Sequence, residues 1–248
     1  MSENKQKYNV IGKPLPRIDG FDKVTGKARY AADIYMNGML YAGALKSGHV
    51  SAKVLSINTE KAKAVPGVAA VVTFKDLPKM QSFGSYMYLT DVIRFSGDCV
   101  AMVAAENRYA LQEALESIEV EYEALPVVST IEEAMAPGAY QLHDKYPGNI
   151  FTLSRYDMIK GDVENAWEEA DVILEREYRT QYVEHAYIEP EAVVAFEDAN
   201  MGNITVHAST QNPFSTRRYV SDLLGLPFNR VRIIQEHLGG SFGGKDEM

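Results

Sequence analysis

The chain has 248 residues, 46% of them apolar and 24% charged, the balance of an ordered globular protein of one large domain or two ordinary ones. A net charge of −9 gives no field that would gather a polyanion, so nucleic acid is not an expected partner. The longest apolar runs, residues 65–74 and 99–105, fall well short of a membrane span, which excludes a bilayer helix.

The first residues, "MSENKQKYNV", are polar and lack the apolar core of a signal peptide. The single cysteine, Cys99, sits in "CVAMVAA", reads as a buried small hydrophobe, and cannot form an intrachain disulfide. Both features point to a reducing cytoplasm. Residues 1–15 read as a flexible arm with a turn at Gly12-Lys13-Pro14. "KVLSIN", "TEKAKA" and "VPGVAAVVTF" then read as strand, short helix and strand. A loop is expected over 79–94, where Ser, Gly, Tyr and Met accumulate. "DCVAMVAA", "NRYALQEALES" and "IEVEYEALP" repeat the order strand, helix, strand. Ala110, Leu111, Ala114 and Leu115 supply the helix's apolar face, and Ile118, Val120 and Tyr122 alternate as in a half-buried strand. The acidic residues Glu113, Glu116, Glu119, Glu121 and Glu123 read as a solvated face.

Composition shifts over residues 134–150, "AMAPGAYQLHDKYPGN", which we take as the linker between two domains. Beyond it Asp162 caps a short helix, and "VILEREYRTQYVEHAYIE" has strand character with imperfect alternation. "AVVAFED" and "ITVHAST" flank the turn-rich "ANMGN" as a hairpin. After the strand over 204–210, Asn212 and Pro213 start a helix whose apolar face is Tyr219, Val220, Leu223 and Leu224 and which Gly225 and Pro227 end. A second strand over 230–236 completes a crossover unit, so the two strands should be parallel in one sheet. Gln211 and the glycine loop over 239–244 then leave the same carboxyl edge and converge on one crevice.

That loop, "GGSFGGK", admits several readings. Gly239, Gly244 and Lys245 match the first seven positions of a P-loop, but Asp246 stands where a Ser or Thr should bind magnesium. A glycine-rich turn that lets two elements pack closely is the plain structural alternative. Glu184, His185 and Glu189 resemble metal ligands, yet His185 and Glu189 are about 13 Å apart on an extended chain, too far for one coordination sphere. We read His185 as a structural hydrogen-bonding residue, and find no ligand spacing among His49, His143, His207 and His237. Arg217 and Arg218 follow Gln211 on the helix, where such a pair faces solvent or a partner more often than a phosphate.

Five ordered segments carry a further reading: "GKPLPRIDGFDKVTGKARYAADI" at 12–34, "VEYEALPVV" at 120–128, "EHAYIEPE" at 184–191, "STQN" at 209–212 and "GGSFGGK" at 239–245. Together they resemble the molybdenum-binding subunit of the molybdenum hydroxylases, the xanthine dehydrogenase and aldehyde oxidase family. The resemblance implies an α+β chain: an α/β hammerhead domain over 16–133, the 134–150 linker, and over 151–248 the truncated start of the mixed α/β molybdopterin-binding domain. Gln211 matches the glutamine whose amide bonds an oxygen ligand of molybdenum. Gly240, Ser241, Phe242 and Gly243 match the loop whose backbone packs on the metal centre and pterin. Asp246 falls where purine-oxidising members carry a substrate-facing glutamate, one methylene longer. Lys245 is assigned only packing or a loop salt bridge.

The implied activity is oxidative hydroxylation of an aldehyde or N-heterocycle, with electrons passed on to iron–sulfur clusters and a flavin. One cysteine cannot hold a 2Fe-2S cluster, so iron–sulfur and FAD groups are expected on partner subunits. No catalytic residue of the family falls in this chain, which is therefore expected to be a fragment or one part of a split subunit, inactive alone and partnered by the remainder of the molybdenum subunit. A cut domain also favours a homo-oligomer. The rival functions are a P-loop-like nucleotide binder and a non-catalytic structural or assembly module.

Overall fold

The computed structural model describes residues 8–77, 88–151, 158–198 and 202–246. Most of the loop expected over 79–94, and most of the "ANMGN" turn, lie outside the described residues. In chain order come α1 (Gly20–Val24), β1 (Tyr41–Lys46), β2 (Ala52–Asn58), α2 (Glu60–Lys63), β3 (Val68–Thr73), β4 (Val92–Ile93), β5 (Cys99–Ala105), α3 (Arg108–Glu116) and β6 (Glu119–Ala124). After these come α4 (Ile131–Met135), α5 (Val163–Glu169), β7 (Val193–Asp198), β8 (Asn203–Ala208), α6 (Pro213–Leu224) and β9 (Val231–Gln235). The chain forms two compact units: Met36–Val183, and a discontinuous one made of Met1–Tyr35 with Glu184–Met248.

In the first unit, three-stranded antiparallel sheets of order β1-β5-β3 and β4-β2-β6 carry two buried clusters, one around Ala101, Val103 and Ala105 and one around Ala52, Val54 and Ile93, with Leu45, Ile57 and Val120 packed against both. The two strand–helix–strand stretches read from the sequence are present, but each helix links strands of different sheets, so neither is a parallel crossover. Asn107 starts α3 by accepting the N–H groups of Tyr109 and Ala110. Ala110 and Ala114 are buried, and Leu111 and Leu115 pack over Ala101, Val103 and Ala105 of β5. Gly43 of β1 makes that approach possible, because a Cβ there would meet both leucines at 3.3 Å. Each fully buried Val, such as Val100 or Val103, contributes about 1.5–3 kcal/mol relative to exposure. The five glutamates read as a solvated face are exposed, and Glu119 pairs with Lys61, which holds its carboxyl below the usual range. Cys99 corrects the sequence reading in degree: it is half-buried, and burial pushes its thiol up.

The connection over 134–150 is laced rather than loose. Asn149, at φ 58°, donates to Ala134 O and Tyr140 O and accepts from Leu142 N–H. Gln141 reaches the carbonyls of His143 and Tyr146. Asp162 caps α5 as expected. The segment 172–189, expected to have strand character, joins no ladder among the described residues. Its alternation breaks at Val172-Ile173-Leu174 and at Glu175-Arg176-Glu177, so neither face is uniformly apolar and nothing fixes a register.

The second unit is built on the sheet β7-β8-β9. β7 and β8 form the hairpin, and β8 and β9 are parallel, with Ile204 opposite Val231 and Ala208 opposite Gln235. The crossover between them is α6, started by Asn212 and Pro213 and stopped by Gly225 in the left-handed region. Val206, Ala208 and Val231 are its buried apolar residues on the sheet.

Candidate functional site

β8 runs directly into the site. Ser209 and Thr210 are fully buried; Ser209 exchanges hydrogen bonds with the backbone of Ala192, and Thr210 Oγ1 meets Thr216 Oγ1 of α6 at 2.9 Å. These anchors fix where Gln211 emerges, one residue before the helix cap. β9, parallel to β8, delivers the glycine loop to the same edge. Gln211 N–H donates to Lys245 O at 3.0 Å, and Gln211 Oε1 accepts from Ser241 Oγ and from Gly243 N–H at 3.1 Å. Two segments thirty residues apart thus close on one another, as the crossover geometry predicts. Since its amide oxygen is engaged, Gln211 has its Nε2 donors free of any protein acceptor among the described residues.

The loop's underside rests on residues 185–189. A Cβ on Gly239 would lie 2.6 Å from Glu189 Cβ, and one on Gly244 would lie 2.5 Å from the Tyr187 ring and 3.1 Å from His185. Both glycines are therefore required by protein packing, which is the plain structural alternative realised at these two positions. Gly240, Phe242 and Gly243 turn the chain through positive φ of 106°, 55° and 102°. Phe242 is the unusual member, a bulky left-handed residue with its side chain exposed. Among the described residues, the N–H groups of Gly240, Ser241 and Phe242 meet no acceptor.

Lys245 is fully buried and pairs with Glu189 at 2.8 Å. That is the loop salt bridge expected for it, and it removes the ammonium from any phosphate a P-loop would hold. Asp246 comes next, its N–H donating to Gly243 O at 3.2 Å, and is only partly buried. His185 lies 3.8 Å from Glu184 and packs under Gly243 and Gly244. No group of three or more His, Cys, Asp or Glu fit to hold a metal occurs among the described residues. Arg217 is spent on Phe228, whose carbonyl it bonds and whose ring it covers.

A pocket of about 650 Å³ opens beside the loop, lined among others by Lys23, Glu236, His237, Ser241 and Phe242. Glu236 is held by His207 at 2.6 Å, and His207 stacks on Phe196. Lys23 of α1 donates to Leu238 O at 3.0 Å and pairs with Asp19, whose carboxyl Lys23 and then Arg17 hold well below the usual carboxylate range. Sequence reasoning missed Glu189, Lys23 and the His207–Glu236 pair. Glu189 was read only as an apparent metal ligand and as part of "EHAYIEPE"; its pairing with Lys245, 56 residues on, had no local signal.

With this geometry in view, the comparisons are specific. Residues 25–126 match the a/b hammerhead domain of aldehyde oxidase and xanthine dehydrogenase, and residues 142–248 match the molybdopterin cofactor-binding domain. The nicotinate dehydrogenase large molybdopterin subunit of Eubacterium barkeri is 38% identical over 96% of this chain and 56% of its own length. A probable xanthine dehydrogenase subunit of Bacillus subtilis is 38% identical over 96% of this chain and 32% of its own. Among solved structures, quinoline 2-oxidoreductase from Pseudomonas putida 86 superposes with a TM-score of 0.79 at 28% identity, over 96% of this chain and 32% of that one. The aldehyde oxidoreductase of Desulfovibrio gigas gives 0.78 at 26% identity, over 93% and 27%. The chain belongs to the xanthine dehydrogenase and aldehyde oxidase family of molybdenum hydroxylases. It spans about half, or about a third, of the length of these relatives. No helix among the described residues is long and apolar enough to cross a membrane.

Proposed function

We propose that this chain supplies one wall of a molybdenum–molybdopterin site in an oxidoreductase that hydroxylates an aldehyde or an N-heterocycle. The observation that carries it is the Gln211 constellation: an amide whose oxygen is taken by Ser241 and Gly243, leaving its Nε2 to donate outward. The residues fit such a group. An oxygen ligand on a metal is an acceptor, and Gln211 presents donors; the N–H groups of Gly240, Ser241 and Phe242 add three more that meet no acceptor among the described residues. The left-handed, exposed Phe242 has no evident role in the fold, and strain of about 1–3 kcal/mol held at a loop tip is of the kind found at ligand sites.

When bound, the cofactor supplies the oxidative hydroxylation at an electron-poor carbon and receives the electrons. Gln211 orients it by hydrogen bonding, the loop backbone approaches it closely because Gly240 and Gly243 allow those turns, and Asp246 faces the substrate. One methylene fewer than glutamate there argues against a purine. Iron–sulfur and FAD partner proteins take the electrons onward, and further polypeptide of the molybdenum subunit completes the cofactor pocket. The matches over 25–126 and 142–248 support a hammerhead domain within residues 16–133 and a cofactor-binding portion within 151–248, with 134–150 connecting them and residues 16–35 sharing the compact unit of 184–248.

The test is Gln211→Ala in the assembled enzyme that contains this chain. Loss of one preorganised donor at the reacting centre should lower turnover on the order of a hundredfold while substrate binding changes little. Unchanged turnover at full molybdenum content would reject the assignment.

A further inference from the structure

A single carboxylate oxygen, Glu189 Oε2, accepts hydrogen bonds from opposite ends of the glycine loop. Gly239 N–H reaches it at 2.7 Å and Lys245 Nζ at 2.8 Å. The Glu189 side chain is 11% exposed and that of Lys245 is 0% exposed. Lys245 Nζ also lies over the Tyr187 ring, 4.8 Å from its centre. The Lys245 carbonyl in turn accepts Gln211 N–H at 3.0 Å and Thr210 Oγ1 at 3.4 Å. One buried ion pair therefore joins the start of the loop, the end of the loop and the backbone of Gln211.

Burying two charges costs several kcal/mol per ion before their attraction offsets it, and well-packed apolar side chains often stabilise a fold as much. Stability alone is a weak reason for this pair. What apolar side chains cannot do is hold two ends of a loop by directional bonds from beneath while its upper face stays open. Glu189 Oε1 is buried without a hydrogen-bond partner, so the carboxylate's orientation rests on the two bonds to Oε2. Gly239 has no room for a side chain because the Glu189 stem occupies it.

We infer that Glu189 and Lys245 are positioning residues that hold the loop over 239–244 and Gln211 as one preformed unit, without touching cofactor or substrate. The inference rests on the proposed cofactor site for its purpose, but its test does not depend on that proposal. The cofactor-free full chain is prepared as wild type, Glu189→Gln, Lys245→Met and the double variant. Hydrogen exchange is followed at the amides of Gln211, Gly243 and Gly244, none of which bonds Glu189. The Gln211 side-chain amide signal, assigned by its loss in Gln211→Ala, reports the constellation by NMR.

Each single variant should exchange these amides on the order of tenfold faster. The Gln211 signal should move toward that of a free glutamine while β8 and β9 keep their protection. The double variant, with no charge left alone in the interior, should regain much of the thermal stability but none of the loop order. That separation marks a positioning role, since a merely structural pair would restore both together. If a single variant fails to fold, the double variant decides. Wild-type exchange and an unmoved Gln211 signal in any folded variant overturn the inference. A clamp that fails this test leaves the Gln211→Ala turnover result untouched, so the two readings fall separately.

Discussion

Gly239 and Gly48 show how differently the same residue is used. At Gly48 an added Cβ would meet nothing within 4 Å, whereas at Gly239 it would lie 2.6 Å from Glu189 Cβ. Neither position has positive φ, so steric room alone separates them. Gly48→Ala should be neutral or slightly stabilising, by up to about 1 kcal/mol, through the unfolded chain. Gly239→Ala must push the loop off its support and should cost about 1–3 kcal/mol. Urea unfolding midpoints check both; equal midpoints would mean that the loop does not rest on the Glu189 stem. The sequence made the glycine cluster conspicuous but not this division of labour. The family resemblance assigned Gly240, Ser241, Phe242 and Gly243 to the cofactor, while the packing reason for Gly239 and Gly244 lies about fifty residues upstream, in side chains whose approach only tertiary structure reveals.

At the scale of elements, local chemistry was legible where it closes on itself. Asn212-Pro213 and Gly225 delimit α6 within one residue, and the short return to β9 forced a parallel pair. Where an element's state depends on a distant partner, the signal failed: 172–189 has β-branched and aromatic residues yet no ladder. The stretch over 134–150 is the converse case. Its Pro, Gly and polar content reads as linker, but Asn149 ties three backbone groups of residues 134–142 together from a left-handed position. Asn149→Ala removes all three bonds and keeps the unfavourable φ, so it should destabilise the Met36–Val183 unit by about 2–4 kcal/mol. Asn149→Gly loses the bonds but relieves the backbone and should cost less. Thermal unfolding of the two variants checks the order, and a milder alanine would show that the side-chain bonds and the turn are not coupled.

At the scale of the molecule, the chain's two ends belong to one body. Met1–Tyr35 joins Glu184–Met248, and the joint is specific: Ala31 is fully buried, its short turn packs against β7, Arg29 O meets His237, and Lys23 bonds Leu238 O at the start of the glycine loop. Contacts across more than two hundred residues leave no trace in periodicity or spacing, which is why the sequence grouped residues 16–35 with the strands that come next in the chain. Order in the loop should then depend on a residue near the amino terminus. Lys23→Met removes a charged hydrogen bond, about 1.5–3 kcal/mol, and should raise exchange of the 238–244 amides tenfold or more while β1–β6 stay protected. Asp19 sets how this tie responds to pH. Lys23 and Arg17 lower its folded carboxyl below the unfolded value, so the pairing is complete above the ordinary carboxylate range and is lost only as pH falls through the lower, folded value. The protection that Lys23 confers, read as the ratio of Lys23→Met to wild-type exchange at the 238–244 amides, should therefore be the same at pH 7 and at about pH 5. A ratio that falls between those values would show that Asp19 does not govern the tie, and a loop that ignores Lys23→Met would show that the amino-terminal segment lies beside the site without helping to hold it.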